Sequence, residues 1–311
     1  ARVSQGPIDR GGFQLFRGFH HSRQMKLWVE NDRVKEHLDP VDMLPRLVSS
    51  AISFIRARKP DDKPFFLYVP WNSPHSPVVP SDEWKGKSGL NDHADFVMQT
   101  DDAFGQVVRA LQETKQFANT LIICSSDNGT SGPTSKIADL HRMGHFPSGD
   151  FRGSKADIWD GGHRVPFIVS WPSVITQPRK IDTLICLTDI FATVAELVGA
   201  ELPDDAGEDS ISFANLLRGG AASNRTDVVH HSVSGQFAIR QGAWKLICCP
   251  GSGGWSKPNI KQALRQNAPT MQLYNMSSDP GEQENLAGSE TKKSDELLDL
   301  LRQQIDRGRS T

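Results

Sequence analysis

The chain has 311 residues, with 35 Lys plus Arg against 37 Asp plus Glu, for a formal net charge of -2 at pH 7. Charges that nearly cancel exclude a global basic field for nucleic acid or an anionic membrane, so any anion recognition has to be local. No apolar run approaches the ~20 residues that span a bilayer, and four cysteines in so long a chain do not make a disulfide framework; the length suits one large core, or one large and one small domain.

The first periodic segment follows the acidic Asp39 and Asp42. Apolar residues at Leu44, Leu47, Val48, Ala51, Ile52 and Ile55 have helical spacing, and Lys59-Pro60 ends the run. Phe65 to Val69 is short and continuously apolar, the pattern of a strand buried on both faces as in a parallel sheet, and a Pro-rich loop from Pro70 to Pro80 follows it. Helical spacing returns from Asp92 to Lys115. Leu121 to Cys124 reads as a second buried strand, and Phe167 to Trp171 as a third, starting behind Pro166 where a missing backbone donor matters least. The helix from Asp189 to Val198 is expected to close at Gly199. Strands alternating with helices predict an α/β layer architecture over residues 1–222.

Beyond the polar stretch Pro203 to Asp209 the pattern changes. Short β-like runs at Val228 to Ser232, Phe237 to Arg240, Trp244 to Cys249 and Met271 to Tyr274, with a hairpin turn at Gln241-Gly242, precede a helical run through Leu297, Leu301 and Ile305. Residues 223–311 therefore read as a small antiparallel sheet with one helix. Cys124 and Cys186 sit in apolar runs as buried thiols would, while Cys248 and Cys249 are adjacent on a strand and point to opposite faces.

Three loops carry the chemistry. Ser126-Asp127-Asn128-Gly129 sits at the carboxyl end of a strand, where α/β sheets place ligands; a carboxylate beside an amide oxygen suits a hard cation, and the same residues also make an Asx-turn readily. Trp71 to Pro77 holds His75 between two prolines, a stiffened loop bearing a group fit for proton transfer or anion binding. In Arg152 to Pro166, Lys155 stands among glycines that allow close backbone approach, and its ammonium can meet an anion as a point charge. His141 and His145 have i, i+4 spacing, but Met143, Gly144 and Pro147 argue against a helix that would make them a metal pair. Of His230-His231, burial against the sheet is the expected use, with one ring able to reach a pocket rim.

Taken in order, these segments resemble the sulfatase family of the alkaline-phosphatase-like fold. The resemblance runs through Gly6-Pro7, Gly12 to Gly18, Lys63 to Tyr68 with Pro74-His75-Ser76-Pro77, and Ser126-Asp127-Asn128-Gly129. It continues through Arg152-Gly153-Ser154-Lys155 with Gly161 to Pro166, Ala238 to Leu246, and Leu273 to Leu286. It implies a sandwich with a central, mostly parallel sheet flanked by helices, and the small C-terminal antiparallel sheet with its helix. It also implies that Asp127 and Asn128 are ligands of a divalent cation, usually calcium, and that His75 and Lys155 contact the sulfate ester. His75 would assist departure of the alcohol and Lys155 would offset developing charge; Ser22 matches a pocket serine by its spacing.

The family's nucleophile is a formylglycine made from the first residue of Cys-x-Pro-x-Arg or Ser-x-Pro-x-Arg, and neither motif occurs here. The resemblance therefore places the nucleophile, a pair of metal-binding aspartates and further sulfate contacts upstream of Gly6, and the 311-residue chain alone is expected not to turn over. The expected reaction is hydrolysis of a sulfated small molecule or sulfated glycan, in the periplasm, in a lysosome or outside the cell. A phosphate or phosphonate ester hydrolase of the same superfamily and a non-catalytic module binding sulfated glycans are the rival readings.

Overall fold

The computed structural model describes residues 12–19, 25–59 and 62–311. They fall into two compact units, one of residues 1–120 with 133–145, the other of 121–132 with 146–311.

In the first unit, β1 (Arg17–Gly18), β2 (Leu27–Glu30) and β3 (Arg33–His37) form an antiparallel ribbon. Helix α1 (Pro40–Ala57) starts on a proline, whose missing N–H falls where no intrahelical partner exists. Helix α2 (Asp92–Glu113) is capped by Asn91, whose side chain accepts from the Ala94 N–H at 3.0 Å. The two helices meet through Leu44, Val48, Phe96 and Ala103, and Trp71, Val78 and Val79 from the Pro-rich loop pack on the same cluster. The loop that carries His75 is thus anchored on helix rather than left to solvent.

The run Phe65 to Val69 differs from expectation. It joins no ladder among the described residues, and Phe66 and Tyr68 are each 64% exposed. An apolar, aromatic run sets an extended backbone, but a strand also needs a neighbour to pair with.

In the second unit, β4 (Ile122–Ser125) pairs antiparallel with β5 (Phe167–Ser170), Ile122 opposite Ser170. Their apolar runs predict burial on two faces of a parallel sheet. Instead Leu121, Ile123, Phe167 and Val169 pack against Phe213, Leu216 and Leu217, while Ile168 on the opposite face is 62% exposed. The mixed α/β layering holds; the strand direction among the described residues does not follow the parallel expectation, because continuous apolarity records hydrophobicity and not direction. Helix α3 (Ile137–Arg142), in the first unit, stops before Gly144 at φ 78°, so His141 and His145 do not share a helix. Helix α4 (Asp189–Val198) closes at Gly199, φ 70°, as its sequence predicts.

The C-terminal sheet has the order β6 (Asp227–His231), β7 (Phe237–Gln241), β8 (Trp244–Ile247) and β9 (Gln272–Asn275), antiparallel throughout. Helix α5 (Ile260–Arg265) precedes β9, and α6 (Thr291–Arg307) follows it. Ile239, Leu246 and Leu273 face Leu297 and Leu301 of α6, with Cys248 beside them. Their neighbours Ala238, Ile247 and Tyr274 face Ile158 and Trp159, with Cys249. The sheet is buried on both sides, and its second face clasps the segment just after Lys155.

That clasp is also ionic. Lys245 is fully buried, with Nζ 2.7 Å from Asp160 Oδ1, 2.8 Å from Glu282 Oε1 and 3.0 Å from the Ile158 carbonyl. Burial pushes Glu282 up from its ordinary value, with Lys245 opposing; at Asp160 burial pushes up too, but Lys245, Arg240 and Arg164 outweigh it and the carboxyl is held low. Removing the lysine that lies between two buried carboxylates strands their charge. Lys245→Met is expected to destabilise the protein by about 3–5 kcal/mol in urea unfolding. Adding Asp160→Asn and Glu282→Gln to the Lys245→Met variant should recover much of that loss.

Candidate active site

The loop after β4 is drawn tight by its own side chains. Ser126 Oγ donates to the Asn128 carbonyl at 2.9 Å, and Asn128 Nδ2 donates to the Gly129 carbonyl at 3.0 Å. These bonds engage the amide nitrogen of Asn128 and are not those of an Asx-turn, in which a side-chain oxygen accepts; they are compatible with that oxygen facing a ligand.

This loop is fixed to the Lys155 segment by backbone. Gly129 N–H donates to the Gly162 carbonyl at 3.0 Å, and Lys155 N–H donates to the Thr130 carbonyl at 2.9 Å. The approach is so close that a Cβ at Gly129 would stand 1.9 Å from the Gly161 carbonyl oxygen, and one at Gly161 would stand 2.4 Å from that of Gly153. Only glycine fits either place.

A buried carboxylate sets the rest. Asp157 is fully buried; its Oδ2 accepts from Ser154 N–H at 2.7 Å and from the hydroxyls of Ser154 and Ser256, while its Oδ1 accepts from the N–H groups of Trp255 and Ser256, both at 2.9 Å. Ionised acceptors of several N–H bonds make rigid turns. Val233 N–H donates to the Ala156 carbonyl at 3.0 Å, so a loop of the C-terminal sheet joins the same knot.

The result is a cleft of about 270 Å³. Asp127, Asn128 and Lys155 line it together, and His163, His231, Val233 and Trp255 also line it. His163 lies against His230 with ring centroids 4.3 Å apart and the planes tilted by 50°, and its Nε2 is buried without a hydrogen-bond partner among the described residues. Desolvation, helped by the Lys245 charge, pushes His163 down to about 4 and His230 well below its ordinary value, so both rings are neutral near pH 7. Of the histidine pair in β6, His230 is packed inward and His231 reaches the rim.

His75 lies in the first unit, where its Nδ1 is 2.7 Å from the Ser76 carbonyl, which orients the ring within its own loop. Beside it Trp71 Nε1, Asn72 Oδ1 and Ser73 Oγ are buried without hydrogen-bond partners among the described residues. Ser22 lies outside the described residues. Sequence reasoning missed Asp157 and Trp255; the run Gly251-Ser252-Gly253-Gly254-Trp255, four small residues before a large aromatic, is the signal for a close-packed loop presenting one side chain.

Asp127 and Asn128 fit a hard cation by donor type, but two residues are fewer than the six to eight oxygens calcium takes. Among the described residues no group of three or more His, Cys, Asp or Glu side chains could hold a metal.

The Sulfatase family model matches residues 4–200, and the chain belongs to the sulfatase family. It is 34% identical over 265 residues to an N-acetylgalactosamine-6-O-sulfatase of Bacteroides thetaiotaomicron, covering 84% of this chain and 50% of that protein. Human arylsulfatase A is 30% identical over 253 residues, covering 78% of this chain and 48% of its own. A solved structure from the metabolism of multiple glycosaminoglycans by Bacteroides thetaiotaomicron superposes with a TM-score of 0.76 at 30% identity, covering 97% of this chain and 64% of that one. The fold is accordingly the α/β fold of the alkaline-phosphatase-like superfamily. The chain spans about half the length of the curated relatives it matches.

The crossing and the buried histidine each have a measurable consequence. Gly129→Ala is expected to cost about 1–3 kcal/mol in thermal or urea unfolding, because a methyl group must displace a backbone carbonyl. Because His163 is held below its unfolded value, the unfolded chain binds a proton between pH 6.5 and about 4 that the folded one refuses. Stability should therefore fall as pH drops through that window, by up to roughly 1.4 kcal/mol per pH unit for each such histidine. Urea midpoints at pH 7 and pH 5 read the effect, and His163→Asn should flatten the dependence.

Proposed function

We propose that the protein hydrolyses sulfate esters of sugars, and that this chain supplies the leaving-group side of the pocket and part of a cation site. The observation that carries the reading is the placement of Lys155 in one cleft with Asp127 and Asn128, held there by backbone hydrogen bonds. A primary ammonium and two oxygen donors in one cleft suit a tetrahedral oxyanion shared between a lysine and a cation. The sugar substrate is supported by the relative at 34% identity that is an N-acetylgalactosamine-6-O-sulfatase.

In this reading Lys155 offsets negative charge that builds on the sulfuryl oxygens, and His75 donates a proton to the departing alcohol oxygen as its bond to sulfur breaks. Asp127 and Asn128 contribute two oxygens to a divalent cation, calcium by family habit, with further donors from outside the described residues. When bound, that ion would draw charge from the sulfate oxygens. The nucleophile is assigned to a formylglycine in a preceding segment, in keeping with the half-length match to the relatives and with the absence of Cys-x-Pro-x-Arg or Ser-x-Pro-x-Arg from these 311 residues. The chain on its own is then inactive.

The test is sulfate release from N-acetylgalactosamine 6-sulfate by the full-length protein of the parent gene. Lys155→Ala is expected to lower kcat/KM about 100- to 1,000-fold, the usual loss of one group that stabilises transition-state charge. Undiminished turnover in that variant, or faster cleavage of a phosphate monoester than of any sulfate ester, would contradict the reading.

A further inference from the structure

The cleft has a second wall that the sulfate chemistry does not use. Trp255 is 53% exposed and Val233 is 62% exposed, and both line the cleft. Large apolar side chains on a surface are ordinary when they stand alone in flexible loops. These do not. The backbone N–H of Trp255 is held by buried Asp157, and the preceding Gly254 lies so close to the Ala156 carbonyl that a Cβ there would stand 2.3 Å from its oxygen. Ser234 Oγ donates to the Gly253 carbonyl at 2.5 Å, joining the Trp255 loop to the Val233 loop. The protein thus uses a buried carboxylate and a run of glycines to fix the backbone that carries an exposed indole in the cleft that Lys155 lines.

His231 completes the wall. Its Nδ1 is 2.9 Å from the Ser232 carbonyl, and its ring meets the edge of Phe237 with centroids 6.3 Å apart. A ring nitrogen bonded to a carbonyl oxygen is the donor in that bond, so in the neutral ring Nε2 is an acceptor left for a ligand. An apolar plate, an aliphatic side chain and a fixed hydrogen-bonding nitrogen suit a ring with one C–H face and a hydroxyl-bearing edge.

Resting on the reading of the site as a sulfate ester hydrolase, we propose that Trp255, Val233 and His231 bind the pyranose ring that carries the sulfate, and that Asp157 is the positioning residue that sets this wall against Lys155. The anion end of the cleft then binds sulfate in any ester, and the wall selects sugars among the alcohols.

The experiment compares full-length wild type with Trp255→Ala, Trp255→Phe and His231→Ala. The readouts are kcat and KM for N-acetylgalactosamine 6-sulfate and the inhibition constant of inorganic sulfate, which occupies only the anion end. Trp255→Ala is expected to raise KM at least about 10-fold, with kcat and the sulfate inhibition constant within about 3-fold of wild type, and Trp255→Phe should recover most of the loss, because a benzene ring keeps the apolar face that the indole offers. His231→Ala should also raise KM selectively, and as a change to an exposed rim side chain it carries the test if Trp255→Ala fails to fold. Wild-type KM in both alanine variants, or equal rises in KM and the sulfate constant, would overturn the wall while leaving sulfate ester hydrolysis standing. A wild-type protein that cleaves no sulfate ester and binds no sulfated hexosamine would instead overturn the functional reading, and the wall with it.

Discussion

The contact between two glycine-lined backbones, Gly129 on one side and Gly161-Gly162 on the other, is the constraint on which the site depends. Gly129 N–H reaches the Gly162 carbonyl, and there is no room for a side-chain carbon at the crossing. The crossing holds the Asp127-Asn128 turn against the segment of Lys155. The Asp127 and Asn128 loop and the Lys155 segment are thereby set side by side by main-chain geometry, which rearranges less than a pair of flexible side chains would.

Segment 152–163 is costly to bury, since it brings Asp157 and Asp160 into the interior. Each is compensated in its own way. Asp157 is satisfied by hydrogen bonds from serines and backbone, and so needs no counter-charge; Asp160 is matched by Lys245 and Arg240 from the C-terminal sheet. Hydrogen bonds to an ionised group are roughly twice as strong as neutral ones, and a buried ion pair is harmful when one partner is lost. The C-terminal sheet is therefore a structural partner of the cleft rather than an appendage. Its apolar face packs on Ile158 and Trp159, its lysine neutralises Asp160, and its loops bring Val233 and Trp255 to the opening.

Much of this is legible in the sequence, for identifiable reasons. Local signals work where the cause is local. Gly199 ends its helix in the left-handed region, the hairpin turns at Gly242-Ala243, one residue beyond the expected Gln241-Gly242, and Cys248 and Cys249 face opposite clusters because side chains alternate along extended chain. Partner choice is not legible. Phe65 to Val69 and the β4–β5 pair read alike as buried parallel strands, since an apolar run records hydrophobicity and names neither the neighbour nor the face that is covered. At the site, the loop motifs identify Lys155, Asp127 and Asn128, and the structure brings these three into one cleft. Asp157 escapes notice because a buried carboxylate that accepts hydrogen bonds and one that faces water are the same letter. Trp255 escapes because its anchor, Asp157, is 98 positions away in the chain.

A crystal structure of the full-length protein with N-acetylgalactosamine 6-sulfate, in a variant too slow to turn it over, tests the central claim most directly. The account predicts a sulfate oxygen within hydrogen-bond reach of Lys155 Nζ, a cation touching both Asp127 and Asn128, and the Gly129–Gly162 backbone bond unbroken. A sulfate group seated away from Lys155, with the Asp127 and Asn128 side chains turned from any ion, would contradict it.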